Sequence, residues 1–266
     1  MGFKRKLREA AAENNSLLCI GLDPDPERLP CGLTIAQFNR MIIEATSDLV
    51  CAYKPNLAFY EAHGLEGLRA LEQTISCIPA GIPIIGDAKR GDIGNTARHY
   101  ARALYDSFGF DATTLSPYLG LDSIEPFISY ADRGVFLLCR TSNPSSKDFQ
   151  DLKIEGQPLY EYVAFKALEW NIHGNIGLVV GATYPQELAR IRQLCPTMCL
   201  LVPGVGTQGG DMEAVVRFGT DESGANAIIN VSRAVLYASS GSDFATAARM
   251  SAIRLRDEMN LHRVAG

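Results

Sequence analysis

The chain's densest group of chemically capable residues is Asp87-Ala88-Lys89-Arg90-Gly91-Asp92. Residues two apart on a strand point the same way, so Asp87 and Lys89 are expected on one face with Ala88 turned outward. An ammonium held between carboxylates stays charged. It can stabilise negative charge developing on a bound molecule and then give it a proton. Lys54 offers a second cation one strand away, and Lys54, Asp87, Lys89 and Asp92 together read as an alternating charge array. Asp92 lies three residues beyond Lys89 on a loop entering a helix, from where its side chain can leave its own site and complete that of a second subunit. The same spacing also describes a surface cluster at a helix N-terminus, with Asp92 as cap or first-turn acid. Where the segment sits in the fold decides between the two.

A second group is Val202-Pro203-Gly204-Val205-Gly206-Thr207-Gln208-Gly209-Gly210-Asp211, followed downstream by Asn230-Val231-Ser232-Arg233-Ala234. Glycines let a backbone approach an anion closely, Gln208 can donate from its amide, and Arg233 presents a fork that matches phosphate. A flexible loop without a ligand has the same glycine content. Asp23, in Cys19-Ile20-Gly21-Leu22-Asp23-Pro24, can accept hydrogen bonds from sugar hydroxyls or cap the turn that follows. His63, His99, His173 and His262 show no metal-ligand spacing, and neither a Ser-His-Asp order nor a G-x-S-x-G elbow is present. Tyr60, Tyr100, Tyr105 and Phe108 fall on helical faces and read as core or subunit contacts.

These residues need a frame. Apolar runs at Leu17–Leu22, Leu49–Lys54, Ile82–Ala88, Ala112–Leu115, Gly134–Arg140, Ile176–Gly181, Met198–Pro203 and Ala225–Val231 read as strands. Helical patterns alternate with them at Thr34–Asp48, Phe59–Ser76, Gly94–Phe108, Leu121–Tyr130, Leu159–Asn171, Pro185–Leu194, Asp211–Phe218 and Asp243–Glu258. Runs such as LLCIGL and NAIINV are apolar throughout, as strands covered on both faces must be. Eight strand–helix repeats over residues 1–266 without a linker match a single-domain (β/α)8 TIM barrel, with Lys4–Glu13 as an extra N-terminal helix over its floor. A doubly wound open sheet is the competing arrangement. In a barrel, chemistry belongs at the C-terminal strand ends, where Asp23, Lys54, Asp87, Lys89, Ser142, Pro203 and Arg233 all fall. The longest loop, around Asn143–Gln157, is of a length often functional or mobile.

The 266 residues are 47% hydrophobic and 21% charged, which excludes fibrous and disordered classes. A net charge of −5 provides no global attraction for nucleic acid or a membrane surface. No apolar run approaches the roughly 20 residues of a bilayer span, and the basic N-terminus leads into no signal-type segment. The seven cysteines, Cys31 among them, are odd in number and lack C-x-x-C spacing. They fit free thiols in a reducing cytoplasm rather than disulfides or a zinc site.

The segments CIGLDP, AYKPNLAFYE, DAKRGDIGNTA, LLCRTSNP, VPGVGTQGGD and INVSRAVLYAS, in this order from Leu17 to Ser239, closely resemble those of the orotidine 5'-phosphate decarboxylase family, in its longer bacterial branch. The resemblance implies a cytoplasmic homodimeric barrel that converts orotidine 5'-phosphate to UMP and CO2 with neither metal nor organic cofactor. By position it makes Lys54, Asp87, Lys89 and Asp92 the charged tetrad, Asp92 coming from the neighbouring subunit with Ile93 and Thr96. It gives Asp23 to the ribose, Ser142 to the pyrimidine, and Pro203, Gln208 and Arg233 to the phosphate and pyrimidine loop. Shorter members often carry Gly-Arg-Ser after strand eight where this chain has Ser232-Arg233-Ala234. The related 3-keto-L-gulonate 6-phosphate decarboxylase shares D-x-K-x-x-D but has a Mg2+-binding acid on strand two, where Lys54 stands here. A noncatalytic nucleotide-phosphate binder is the alternative outside enzymes.

Overall fold

Eight parallel strands alternate with helices in the computed structural model, which describes residues 2–30, 32–205 and 211–263. They are β1 Leu18–Leu22, β2 Ala52–Pro55, β3 Ile85–Arg90, β4 Ala112–Leu115, β5 Gly134–Arg140, β6 Ile176–Val180, β7 Leu200–Pro203 and β8 Ala227–Val231. The hydrogen-bonded order is β2-β1-β8-β7-β6-β5-β4-β3, and parallel bridges Tyr53↔Ile84 and Asn56↔Asp87 join its two ends. The sheet therefore comes round on itself as a (β/α)8 barrel, and the open doubly wound arrangement is excluded.

Strand alternation divides the core in two. Cys19, Cys51, Ile85, Ala112, Phe136, Val179, Leu201 and Ile228 fill the barrel interior, while Leu18, Ile20, Leu22, Val135, Leu137, Leu178 and Val202 pack in the layer under the helices. Helix α1 (Phe3–Glu13) seals the floor: Phe3 joins the inner cluster edge-on to Phe136 at 5.8 Å, and Lys6 pairs with Asp111 at 2.7 Å. Gly134 is required there, since a Cβ at that position would run into the Phe3 ring.

The outer helices are α2 Ile35–Thr46, α3 Gly64–Cys77, α4 Gly94–Arg102, α5 Leu121–Ile128, α6 Leu159–Trp170, α7 Pro185–Leu194, α8 Met212–Gly219 and α9 Phe244–His262. The stretch predicted as one helix from Phe59 to Ser76 is two, Ala58–Glu61 and α3, because the chain breaks at Gly64, which opens α3 with a positive φ of 58°. The helix expected to reach Phe108 leaves α geometry after α4 and ends in a π-helical turn, Ala103–Ser107.

The Asn143–Gln157 loop carries more structure than its length suggested. It forms a 3-10 turn at Pro144–Ser146, a short helix at Lys147–Gln150 and a tiny hairpin between Lys153–Ile154 and Gln157–Pro158. Arg140, 1% exposed, anchors it through Ser146 (3.0 Å) and Asp151 (3.2 Å) while lying over the Tyr184 ring at 4.0 Å. The six described cysteines are free thiols, Cys31 lying outside the described residues. No helix among the described residues is long and apolar enough to cross a membrane.

Candidate active site

At the C-terminal end of the barrel, Asp87 on β3 is gripped from both sides. Lys54 Nζ on β2 lies 2.9 Å from its Oδ2, and Lys89 Nζ lies 2.6 Å from its Oδ1. Burial opposes charge on both central groups. Desolvation alone would raise the Asp87 carboxyl, but the Lys54 and Lys89 ammoniums outweigh it and hold it well below the usual carboxylate range. Desolvation likewise works against the Lys54 ammonium, and Asp87 and Asp23 reverse the balance and raise it. The exposures separate two roles: the Lys54 side chain is 5% exposed, Asp87 10% and Lys89 49%. Lys54 and Asp87 are a fixed buried pair, while Lys89 is half-exposed and is not itself among the cavity-lining residues.

Asp87 and Lys89 do meet, as expected, but not by regular strand alternation. The β3–β4 register runs from Gly86↔Thr113 to Arg90↔Leu115, so β3 bulges between them, and Lys89 has φ +46°. The bulge turns the lysine back onto the carboxylate two residues earlier.

A cavity of about 470 Å³ opens beside this triad, within the range of small-molecule sites. Asp23, Lys54, Asp87, Pro203 and Arg233 line it together. Asp23 does not cap the next turn; Asp25 does so, accepting from Glu27 N at 3.1 Å. Among the described residues the buried Asp23 Oδ1 and Ser232 Oγ have no hydrogen-bond partner, so the cavity wall there carries unsatisfied polar atoms. Ser142, two residues beyond β5, packs against Gly181, where an added Cβ would lie 2.9 Å from it, and is not among the residues lining the cavity. Arg233 is exposed and opens a short helix, Arg233–Leu236. Gln208 lies outside the described residues.

Asp92, Ile93 and Thr96 do not line this cavity. Asp92 Oδ1 accepts from Ile93 N at 2.8 Å, and Asp92 makes no ion pair among the described residues. Ile93 is 55% exposed, and Thr96 is exposed too. The structure thus brings Lys54, Asp87 and Lys89 together and leaves the fourth member of the proposed tetrad outside its own site.

Several wall residues were missed. Asn56 lies two residues beyond Lys54, and that period-two spacing was available to find it. Tyr237 could not be found that way. Its hydroxyl accepts from Asp25 N at 2.7 Å and donates to Asp23 O at 3.3 Å, and Arg28 lies 3.8 Å above its ring, tying the β8 end to the β1 loop. Cys19, beneath the site, is no nucleophile: burial pushes its thiol up to about 12 despite the nearby Lys54. His63, His99 and His173 are exposed, while Tyr60 and Tyr105 are buried, as their helical positions suggested.

A second cavity, about 540 Å³, lies at the opposite end, between α1 and the floor. It is lined by Phe136, Cys51, Cys199 and the exposed Lys4 and Arg8, and among the described residues it has no acid–base pair comparable to the triad. The chemistry is at the mouth.

The model of the orotidine 5'-phosphate decarboxylase / HUMPS family matches residues 16–249. An orotidine 5'-phosphate decarboxylase of Dehalococcoides mccartyi is 55% identical, with 99% of each chain covered. One of Herpetosiphon aurantiacus is 59% identical over 93% of this chain and 94% of its own. The solved structure of Leishmania donovani OMP decarboxylase superposes with a TM-score of 0.89 at 42% identity, covering both chains in full. A barrel with a lysine–aspartate–lysine cluster at its mouth, matched along nearly its whole length by these relatives, belongs to the orotidine 5'-phosphate decarboxylase / HUMPS family.

Proposed function

We propose that the chain is a single decarboxylase domain that converts orotidine 5'-phosphate to UMP and CO2, the last step of UMP synthesis. The observation that carries this reading is the buried Lys54–Asp87 pair holding a half-exposed Lys89 beside a cavity that Arg233 also lines. Breaking the bond from C6 to the carboxylate leaves an electron pair in an sp2 orbital with little delocalisation, so the barrier is high. Each tenfold acceleration needs about 1.4 kcal/mol of stabilisation realised in the transition state. The Lys89 ammonium stabilises that pair electrostatically as CO2 departs and then transfers its proton to C6. Lys54 and Asp87 keep the ammonium aimed and charged, a task suited to groups already locked by burial.

Asp23 binds the ribose hydroxyls, Ser142 the pyrimidine, and Pro203, Gln208 and Arg233 the phosphate and the loop around it. Phosphate binding far from C6 commits remote binding energy to assembling the site, so the phosphate acts on turnover as well as affinity. Asp92, Ile93 and Thr96 serve the site of the neighbouring subunit in a cytoplasmic homodimer, a reading supported by their position outside their own cavity, with Ile93 and Thr96 exposed and Asp92 partly so. No metal or organic cofactor takes part. Lys54, a cation paired with Asp87 where the gulonate-phosphate enzyme would carry a metal-binding acid, disfavours that second reading.

The test is the loss of orotate absorbance on adding orotidine 5'-phosphate in the presence of EDTA. Turnover that survives the chelator and disappears in Lys89→Ala, with the fold intact, is the expected result. Chelator-sensitive activity, or near-wild-type turnover in the variant, overturns the corresponding part of the reading.

A further inference from the structure

Thr114, on β4, stands opposite the β3 bulge and belongs to none of the motifs at the strand ends. Between the pairs Gly86↔Thr113 and Arg90↔Leu115, three residues of β3 face this single residue of β4, two more than regular parallel pairing allows. A bulge of that size removes ladder partners. The Lys89 N–H is one of the groups affected, and it is satisfied by a side chain: it donates to Thr114 Oγ1 at 3.0 Å. The same hydroxyl donates to Asp87 Oδ1 at 2.9 Å. A hydroxyl has one proton to give and lone pairs to receive, so one atom serves both contacts at once.

Asp87 Oδ1 is also the oxygen that receives Lys89 Nζ at 2.6 Å. Thr114 therefore holds both ends of the lysine's local geometry, the backbone from which it projects and the carboxylate toward which it points. Without such a tie a lysine at φ +46° has little to keep it there, since non-glycine residues rarely adopt the left-handed region unless their surroundings enforce it. Thr114 is 1% exposed and is not part of the cavity wall, so it has no direct access to a bound nucleotide.

We propose that Thr114 is a positioning residue for the decarboxylation, its hydroxyl pinning the β3 bulge so that the Lys89 ammonium is aimed at the reacting carbon. This rests on the reading of Lys89 as the proton donor. The role belongs to the hydroxyl rather than to the bulk of the side chain, which makes it separable from packing. Valine keeps the shape and removes both contacts; serine keeps both contacts and removes a methyl group.

The experiment is steady-state decarboxylation of orotidine 5'-phosphate by Thr114→Val, Thr114→Ser and Thr114→Ala, with UMP affinity measured by titration calorimetry. In Thr114→Val, kcat is expected to fall about 10- to 100-fold, as for loss of a hydrogen bond to a charged group, with KM and UMP affinity changed by less than about threefold. Thr114→Ser is expected to retain most of the wild-type kcat. If the valine variant fails to fold, the alanine and serine variants carry the same comparison. A kcat in Thr114→Val or Thr114→Ala within about threefold of wild type overturns the proposal, as does an equal loss in the serine variant, which would assign the effect to the methyl group. Lys89→Ala separates this failure from that of the underlying reading: full turnover there removes the role of Lys89 itself, whereas an inactive Lys89→Ala beside an unimpaired Thr114→Val removes only the role of Thr114.

Discussion

Asp87→Asn offers the sharpest physical test of the charge cluster, because it changes one atom type in a side chain whose three contacts are known. Asp87 Oδ1 receives Thr114 and Lys89, and Oδ2 receives Lys54. An amide has a single acceptor oxygen, so if that oxygen keeps Thr114, the NH2 group faces the Lys54 ammonium, donor against donor. Lys54 is 5% exposed, so solvent can do little to replace its lost partner. Breaking a buried pair by removing one partner costs about 3–5 kcal/mol. At about 2–4 °C per kcal/mol for a chain of this size, the melting temperature falls by roughly 6–20 °C.

The pH dependence has a definite sign. The Asp87 carboxyl titrates below its ordinary range in the folded protein, so its contribution to stability is complete above the unfolded value of about 3.9 and is lost as pH falls toward the folded one. The stability gap between wild type and Asp87→Asn is therefore constant from about pH 5 to pH 8 and closes only below about pH 4. For Lys54, whose ammonium is favoured in the fold, the contribution is full below about pH 10.4 and lost only as pH rises through the higher folded value. Chemical denaturation across this range measures the gap. In Lys54→Met/Asp87→Asn no buried charge is left alone, and most of the lost stability returns. Asp87→Asn within 1 kcal/mol of wild type, or a double variant as unstable as the sum of the singles, would refute the reasoning.

Two further outcomes follow from the same geometry. Lys89→Ala and Asp92→Ala subunits, each inactive alone, should regain about a quarter of wild-type activity when mixed and allowed to exchange, since half the dimers are then mixed and each holds one intact site; verified heterodimers without activity would mean the sites are not shared. Arg140→Met should loosen the 143–157 segment, because it removes the contacts to Ser146 and Asp151. A loss of about 2 kcal/mol is roughly a 30-fold rise in local opening, readable as faster proteolytic cleavage within that segment, and an unchanged cleavage rate would show that the segment is held by other means.

The barrel was legible because its strands are covered on both faces and so appear as unbroken apolar runs, and because a right-handed strand–helix repeat leaves few other arrangements. Lys54 and Asp87 were legible from position alone, as charges at the ends of such runs. How Lys89 reaches Asp87 was not. A bulge is a relation between two strands, and nothing within Asp87–Arg90 records that Thr114 waits on the neighbour with a hydroxyl. The link from Tyr237 to Asp23 and Asp25 was hidden for a similar reason: the partners are over two hundred residues apart, and a tyrosine after a short apolar helix reads as packing. The broken helix around Gly64 was a smaller miss, since glycine is tolerated inside helical patterns and only its positive φ reveals the break.

The division of labour between strands and loops accounts for why the charge cluster sits where it does. A group that must stabilise a short-lived electron pair has to be aligned before that pair forms, because reorganisation during the reaction would consume the stabilisation it offers. On the proposed reading, Lys54, Asp87 and Thr114 meet this need by lying on barrel strands with less than a tenth of each residue exposed. The groups expected to hold the ends of the substrate face the opposite demand: the nucleotide has to enter and the product leave, so Asp23, Ser142 and Arg233 stand just beyond the strands, where the backbone can adjust. Lys89 joins the two regimes. Its backbone N–H is held by the Thr114 hydroxyl on the neighbouring strand, and its ammonium is half-exposed while paired with the buried Asp87.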